Sequence, residues 1–172
     1  MSLLSFLGLD GSSADDGDIE GVRTIVGALK AMEPSRARHL AAFAYILSRV
    51  AHVDQHVSPE ETSAIERILA DEGGLPAEQT RLVVEIAKAQ SVLFGGVEDF
   101  LVTREFAGRA THEEKLSLLA CLFAVSSADD SIDVTEDNEI RRISRELRIE
   151  HADYIAARLA HLRHLSVLKD EL

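Results

Sequence analysis

The residues of this sequence best suited to binding a ligand are four carboxylates, which form two copies of one short pattern. Asp54 precedes Glu61 by seven residues, and Asp129 precedes Glu136 by the same spacing, with an aliphatic residue three positions after each Asp. All-oxygen ligands suit Ca²⁺, Mg²⁺ or Mn²⁺ better than Zn²⁺ or copper. Two carboxylates 4 Å apart repel by about 4 kcal/mol at an effective dielectric near 20, so four that converge require a cation. We therefore predict a divalent-cation site if the two copies meet.

The same acids also have a purely structural interpretation. Ser58–Glu61 and Asp133–Glu136 have the form of a capping box, in which the first side chain and the last carboxylate satisfy backbone amides at a helix start. Thr111–Glu114 has this form too, without a preceding motif Asp. Such caps contribute about 0.5–2 kcal/mol. Asp54 and Asp129 would then only close turns through their own side chains, and the residues alone leave both interpretations open.

The two acidic motifs belong to an internal repeat with an offset of 75 residues. Thirteen positions are identical in an ungapped window of 73 residues, where composition alone would give about five. The identities extend from Gly21, matched by Gly96, to Leu93, matched by Leu168. We therefore predict a duplicated unit, with repeat 1 at about 20–94 and repeat 2 at about 95–169, related by an approximate two-fold axis.

The elements that must position these residues are helices. Apolar residues recur with a spacing near 3.6 throughout, and no segment alternates as a strand would. Pro34, Pro59 and Thr111 mark helix starts. The predicted fold is all-α, with two tandem four-helix halves packed face to face. We expect helices at about 19–32, 36–53, 59–71 and 77–93, and then at about 97–108, 112–127, 134–147 and 151–167.

Length and composition predict one domain. The 172 residues are 46% apolar, enough for a real core, and we assign residues 18–172 to a single helical domain. Residues 1–17 are expected to form a flexible N-terminal arm and linker, because positions 10–18 are rich in Gly, Ser and Asp. The apolar start of this arm, Ser2–Leu7, could instead dock on the body or on a partner.

The net charge of −12 limits the choice of partners. Such a surface repels nucleic acid and favours cations or a protein partner of basic or membrane-associated character; a homodimer is also open. Neither a transmembrane segment nor a secretory signal is evident, so we expect a cytoplasmic protein. The sequence has no nucleophile–base pair, phosphate loop or zinc signature, and we expect no enzymatic activity and no organic cofactor.

Two further groups of residues are given structural roles. Cys121 lies in an apolar run and is expected to be an inert core thiol. An arginine stripe on the seventh helix is expected to pair largely with acids three or four residues away, although docking of a partner is the alternative. The stripe consists of Arg141, Arg142, Arg145 and Arg148, and the acids are Glu139, Glu146 and Glu150.

With its duplicated acidic motif, the sequence resembles the tellurite-resistance protein B (TerB) family and the related N-terminal domain of the membrane-anchored DnaJ-like co-chaperone. The family pattern Ala-x-Ala-Asp-Gly-x-Val/Ile-x-x-x-Glu is approximated by residues 51–61 and 126–136, within a resemblance covering roughly 20–168. Gln55 and Asp130 replace the Gly, which makes a left-handed turn there more costly. The resemblance implies an all-helical fold and a role in tellurite and other stress through protein assemblies, without catalysis. It also implies cation binding by Asp54, Glu61, Asp129 and Glu136.

Overall fold

A computed structural model describes residues 16–51, 59–89, 99–127 and 134–169. Within these ranges every regular element is an α-helix, which confirms the predicted all-α class. The bounds agree with the expected ones to within a few residues, except that α4 ends at Lys88, with Ala89 as its C-cap, and not at the expected residue 93. The helices are α1 Asp16–Lys30, α2 Pro34–Ala51, α3 Pro59–Asp71, α4 Ala77–Lys88, α5 Asp99–Arg109, α6 His112–Ser126, α7 Val134–Glu146 and α8 His151–Lys169.

The helix starts follow the markers in the sequence. Pro34 and Pro59 are the first residues of α2 and α3. Thr111 caps α6: its hydroxyl accepts from the amide of Glu114 at 3.2 Å, and the Glu114 carboxylate accepts from the amide of Thr111 at 2.8 Å. The predicted capping box is therefore confirmed at this position. The other two predicted boxes begin at Ser58 and Asp133, which lie outside the described residues.

Helix α2 lies at the centre of the molecule. Residues 40–47 are all buried, so this stretch is enclosed on every side, as expected for a helix that is apolar all round. Helices α1, α4, α5, α6 and α7 pack around it. This arrangement brings the last turn of α2 into contact with α5 and α7.

Corresponding helix pairs pack together in the two halves of the chain. Helix α2 packs on α4 as α6 packs on α8, and α2 packs on α7 as α6 packs on α3. The halves differ elsewhere, because α1 packs on α4 whereas its counterpart α5 packs on α2 and α7. The two-fold relation between the repeats stays a prediction.

Among the described helix ends, two pass through a residue in the left-handed region. Gly74, with φ of 60°, follows α3, and Arg148, with φ of 57°, follows α7. Beyond Arg148 the amide of Ile149 donates to the carbonyl of Ser144 at 3.0 Å, which satisfies a carbonyl at the helix end. Gly adopts this conformation without strain and Arg does not, so the end of α7 is the more strained of the two.

Candidate functional site

Of the four predicted cation ligands, only Glu136 has a described side chain. It is half-buried in the first turn of α7. Glu61 lies in the first turn of α3, but its side chain is outside the description, and Asp54 and Asp129 fall outside the described residues altogether. Among the described side chains no group of three or more His, Cys, Asp or Glu could hold a metal ion. Because three of the four ligands lie outside the described side chains, their convergence stays a prediction.

The helices that carry the two motifs pack across the halves. Helix α2, which leads into the first motif, packs on α7, which carries Glu136 of the second motif. Helix α6, which leads into the second motif, packs on α3, which carries Glu61 of the first. A site shared by both motifs requires helix packing of this kind.

A buried guanidinium joins α2 to α7 one helical turn from Glu136. The Arg49 side chain, 4% exposed, lies in the last turn of α2. Its Nε donates to Oε1 of Glu139 at 3.0 Å, and its Nη1 donates to Oε2 of Glu146 at 2.9 Å. The same Nη1 donates to Oγ1 of Thr103 on α5 at 2.7 Å. One side chain therefore holds three helices together.

Further charged and polar groups surround this contact. Asp99 Oδ2 lies 3.9 Å from Nε of Arg49, and Asp99 Oδ1 accepts from the Tyr45 hydroxyl at 2.6 Å. On the solvent side, Nε of Arg142 donates to Glu146 at 3.1 Å, and its Nη1 lies 3.7 Å from Glu139. We call the whole set the Arg49 cluster: Tyr45, Arg49, Asp99, Thr103, Glu139, Arg142 and Glu146.

Within the Arg49 cluster, neighbouring carboxylates compensate the charge of the buried guanidinium. Burial by itself would lower the pKa of Arg49, but hydrogen bonds to Glu146 and Glu139, and the charges of both, outweigh it and raise the pKa above its ordinary value. Arg49 therefore carries its charge at neutral pH. A buried cation of this kind depends on its carboxylates, because an ion left unpaired in the interior is costly.

The arginine stripe on α7 behaves partly as expected. The predicted pairing of Arg142 with Glu139 and Glu146 is confirmed. The sequence did not show that both glutamates also bind Arg49, because the partners lie 90 and 97 residues apart. The sequence feature that could have indicated this contact is a single Arg at the end of the apolar run of α2.

Cys121 is an inert core thiol, as predicted. Its side chain is fully buried. Burial, and secondarily the charge of Glu72, raises the pKa of the Cys121 thiol to about 12, so almost no reactive thiolate forms near neutral pH.

The ring of His161 on α8 packs against α6. It is half-buried and stacks on Phe123 with centroids 5.9 Å apart. Its Nδ1 lies 3.2 Å from the carbonyl oxygen of Ala157. These contacts account for the ring without a metal.

No helix in the described ranges has both the length and the apolar character needed to cross a membrane. A family model described as tellurite resistance protein TerB matches residues 39–159, more than two thirds of the chain. The matched range contains both acidic motifs and the whole Arg49 cluster. Searches among curated proteins and among solved structures gave no match. The resemblance to the co-chaperone domain stays a prediction.

Proposed function

Because the chain belongs to the TerB family, we propose that it is a non-enzymatic protein of tellurite-resistance type, which acts in the cytoplasm through a protein partner. In this proposal its acidic helical domain binds one divalent cation, Ca²⁺, Mg²⁺ or Mn²⁺. Four carboxylates hold the cation, two from each motif: Asp54, Glu61, Asp129 and Glu136. The chemistry of this donor set fits such an ion.

The observation that supports the cation most strongly is the packing of α2 on α7. Arg49, near the end of α2, contacts Glu139, which lies one turn after Glu136 on α7. The helix that leads to Asp54 is therefore fixed beside the helix that carries Glu136, although the two belong to different motifs. A bound cation would neutralise carboxylates of both halves and would couple the halves to each other.

A second candidate is a metal-free scaffold, and one observation favours it. Glu114 occupies the third position of α6 and completes a capping box without any motif Asp nearby in sequence. Glu136 occupies the same position of α7. Capping therefore suffices to explain a Glu at this position, and the acids would then only cap helices and close turns.

Thermal melts with and without each cation separate the two candidates, and the chain supplies a matched control. A cation present at 100 times its dissociation constant should add about 2.7 kcal/mol of stability, or about 5–10 °C in Tm for a protein of this size. Glu136→Gln should abolish this increase, because it removes a charged ligand. Glu114→Gln should leave the increase intact, because Gln also completes a capping box.

The metal-free candidate predicts a different pattern. Neither the wild type nor either variant would respond to a cation, and both substitutions would be tolerated equally. A cation-induced increase that survives Glu136→Gln would contradict the ligand set. The stress role has its own test: growth on tellurite of a host lacking this protein should be restored by the wild type and less well by Glu136→Gln.

A further inference from the structure

Three of the four arginines in the stripe of α7 have no carboxylate partner in the part of the chain that the structure describes. Only Arg142 pairs with acids of its own helix, Glu139 and Glu146. Both of these glutamates also bind Arg49, and Glu150, the third acid expected to pair with the stripe, forms no ion pair with a described residue. The remaining three arginines are exposed. We call them the arginine row: Arg141, Arg145 and Arg148.

The arginine row follows the solvent side of α7. Its first two members lie four residues apart on the face opposite the buried Ile143, and its third member lies just beyond the helix end. The row extends about 10 Å along the helix. Asp137, four residues before Arg141, is suitably spaced to pair with it, but its carboxylate accepts from Nε of Arg158 on α8 at 3.0 Å. The row therefore presents positive charge to solvent.

The arginine row is unfavourable for the helix that carries it. Arg145 has other arginines three and four residues before it and three residues after it, and like charges at these spacings destabilise a helix. Arg148 has φ of 57°, a conformation in which Gly would be free of strain. A cation near a helix C-terminus is favourable, but Arg145 alone provides one. Binding of a partner therefore explains the row better than folding does.

We propose that the arginine row docks an acidic helix of a protein partner. Guanidinium groups bind carboxylates through two parallel hydrogen bonds, which suits pairing at an interface. A helix with Glu or Asp at positions i, i+4 and i+7 presents its carboxylates with the spacing of the row, and pairing would relieve the repulsion between the arginines. The inference rests on the proposed function only in that the protein acts through a partner, and it does not require the cation.

The charge of the whole protein favours a short acidic segment over an extended polyanion. The net charge is −12, so most of the surface is acidic. Nucleic acid or an anionic membrane extends well beyond the row and would meet this acidic remainder. A single helix can lie largely within about 8 Å of the row, the distance over which charges act at physiological ionic strength. Its interaction is therefore dominated by the arginines.

Titration of the full-length protein with a defined peptide tests the proposal. The probe is an alanine-rich helical peptide of about 20 residues with Glu at i, i+4 and i+7, and the control peptide has Gln at these positions. Amide NMR shifts follow binding at about 0.01 M salt, where the Debye length is about 30 Å. The row variant combines Arg141→Gln, Arg145→Gln and Arg148→Gln. The matched variant removes three exposed arginines of α1, α3 and α4: Arg23→Gln, Arg67→Gln and Arg81→Gln.

We expect the row variant to bind the acidic peptide about tenfold more weakly than the wild type, and the matched variant to bind it almost as well. Arg145→Glu should weaken binding too, and replacing the middle Glu of the peptide by Lys should restore it. Four results would overturn the proposal: no binding by the wild type, equal weakening in both triple variants, equal binding of the Gln peptide, or tighter binding to phosphatidylserine vesicles, which would indicate a membrane.

Growth on tellurite separates this inference from the proposed function. We expect the wild type to restore growth of the deficient host and the row variant to restore it less well. Restoration by both proteins alike would reject the arginine row as the docking surface and leave the proposed function intact. Failure of the wild type itself would count against the proposed function, whereas the peptide titration would still decide whether the row binds an acidic helix.

Discussion

Replacing Arg49 by Met should destabilise the protein far more than removing an ordinary surface arginine. Met keeps much of the length and apolar volume of the side chain, so the main loss is the charge and its hydrogen bonds. The change leaves Glu139 and Glu146, 25% and 10% exposed, with Arg142 as the remaining cation in the Arg49 cluster. The net charge of the cluster, from three carboxylates and two guanidiniums, falls from −1 to −2.

The magnitude follows from the burial of these groups. Removing one partner of a buried ion pair typically costs about 3–5 kcal/mol. Because Arg142 remains and Glu139 is partly solvated, we expect the lower end, about 3 kcal/mol. The matched control is Arg109→Met on α5: its ion pair with Glu105 is 48% and 46% exposed, so the loss should be below about 1 kcal/mol.

Urea denaturation followed by circular dichroism measures both effects. Adding Glu139→Gln and Glu146→Gln to Arg49→Met should restore at least half of the lost stability, because the unpaired charges are then gone. A loss below about 1 kcal/mol for Arg49→Met, or a triple variant less stable than Arg49→Met alone, would refute the role given to the cluster.

Three further predictions concern helix ends and pH. Arg148→Gly should raise stability by about 0.5–1 kcal/mol, because Gly relieves the left-handed backbone strain; a lower urea midpoint would contradict this. Thr111→Ala should cost about 1 kcal/mol, and Ser58→Ala and Asp133→Ala about 0.5–2 kcal/mol each, if they too remove caps; unchanged melts would show that the helix starts are misassigned. Burial lowers the pKa of His39, and the charge of Glu114 opposes this only in part, so the unfolded chain binds the proton more tightly. Neutral His39 therefore makes its full contribution to the free energy of unfolding above about pH 6.5. This contribution is lost as the pH falls through the lowered pKa of the folded state. His39→Gln should lose less stability than the wild type between about pH 7.5 and about pH 5 in urea melts.

The fold could be predicted from the sequence because its signals are local. The apolar spacing gave the helices, and Pro34, Pro59 and Thr111 gave three of their starts. Cys121 could be placed in the core because its neighbours in sequence are apolar. Each of these inferences uses residues within one or two helical turns of each other, which is the range over which a sequence pattern reports structure.

The Arg49 cluster could not be predicted, because it depends on contacts between distant helices. The repeat gave no signal for it: at the 75-residue offset, Arg49 corresponds to Ala124 and Glu139 corresponds to Ala64. The identities between the halves mark what the halves share, whereas this cluster lies where they differ. The i to i+3 and i to i+4 rule assigned Glu139 and Glu146 to Arg142, and each glutamate binds Arg49 as well.

Calorimetric titration of the wild type and of the Asp54→Asn, Asp129→Asn double variant with Ca²⁺, Mg²⁺ and Mn²⁺ tests the proposed cation site most directly. Asn keeps the shape of the side chain and removes its charge, so the wild type should bind one of these ions and the double variant should not. Without a cation the double variant should be at least as stable as the wild type, because repulsion among the four acids is reduced. Failure of the wild type to bind any of the three ions, or equal binding by the double variant, would contradict the account.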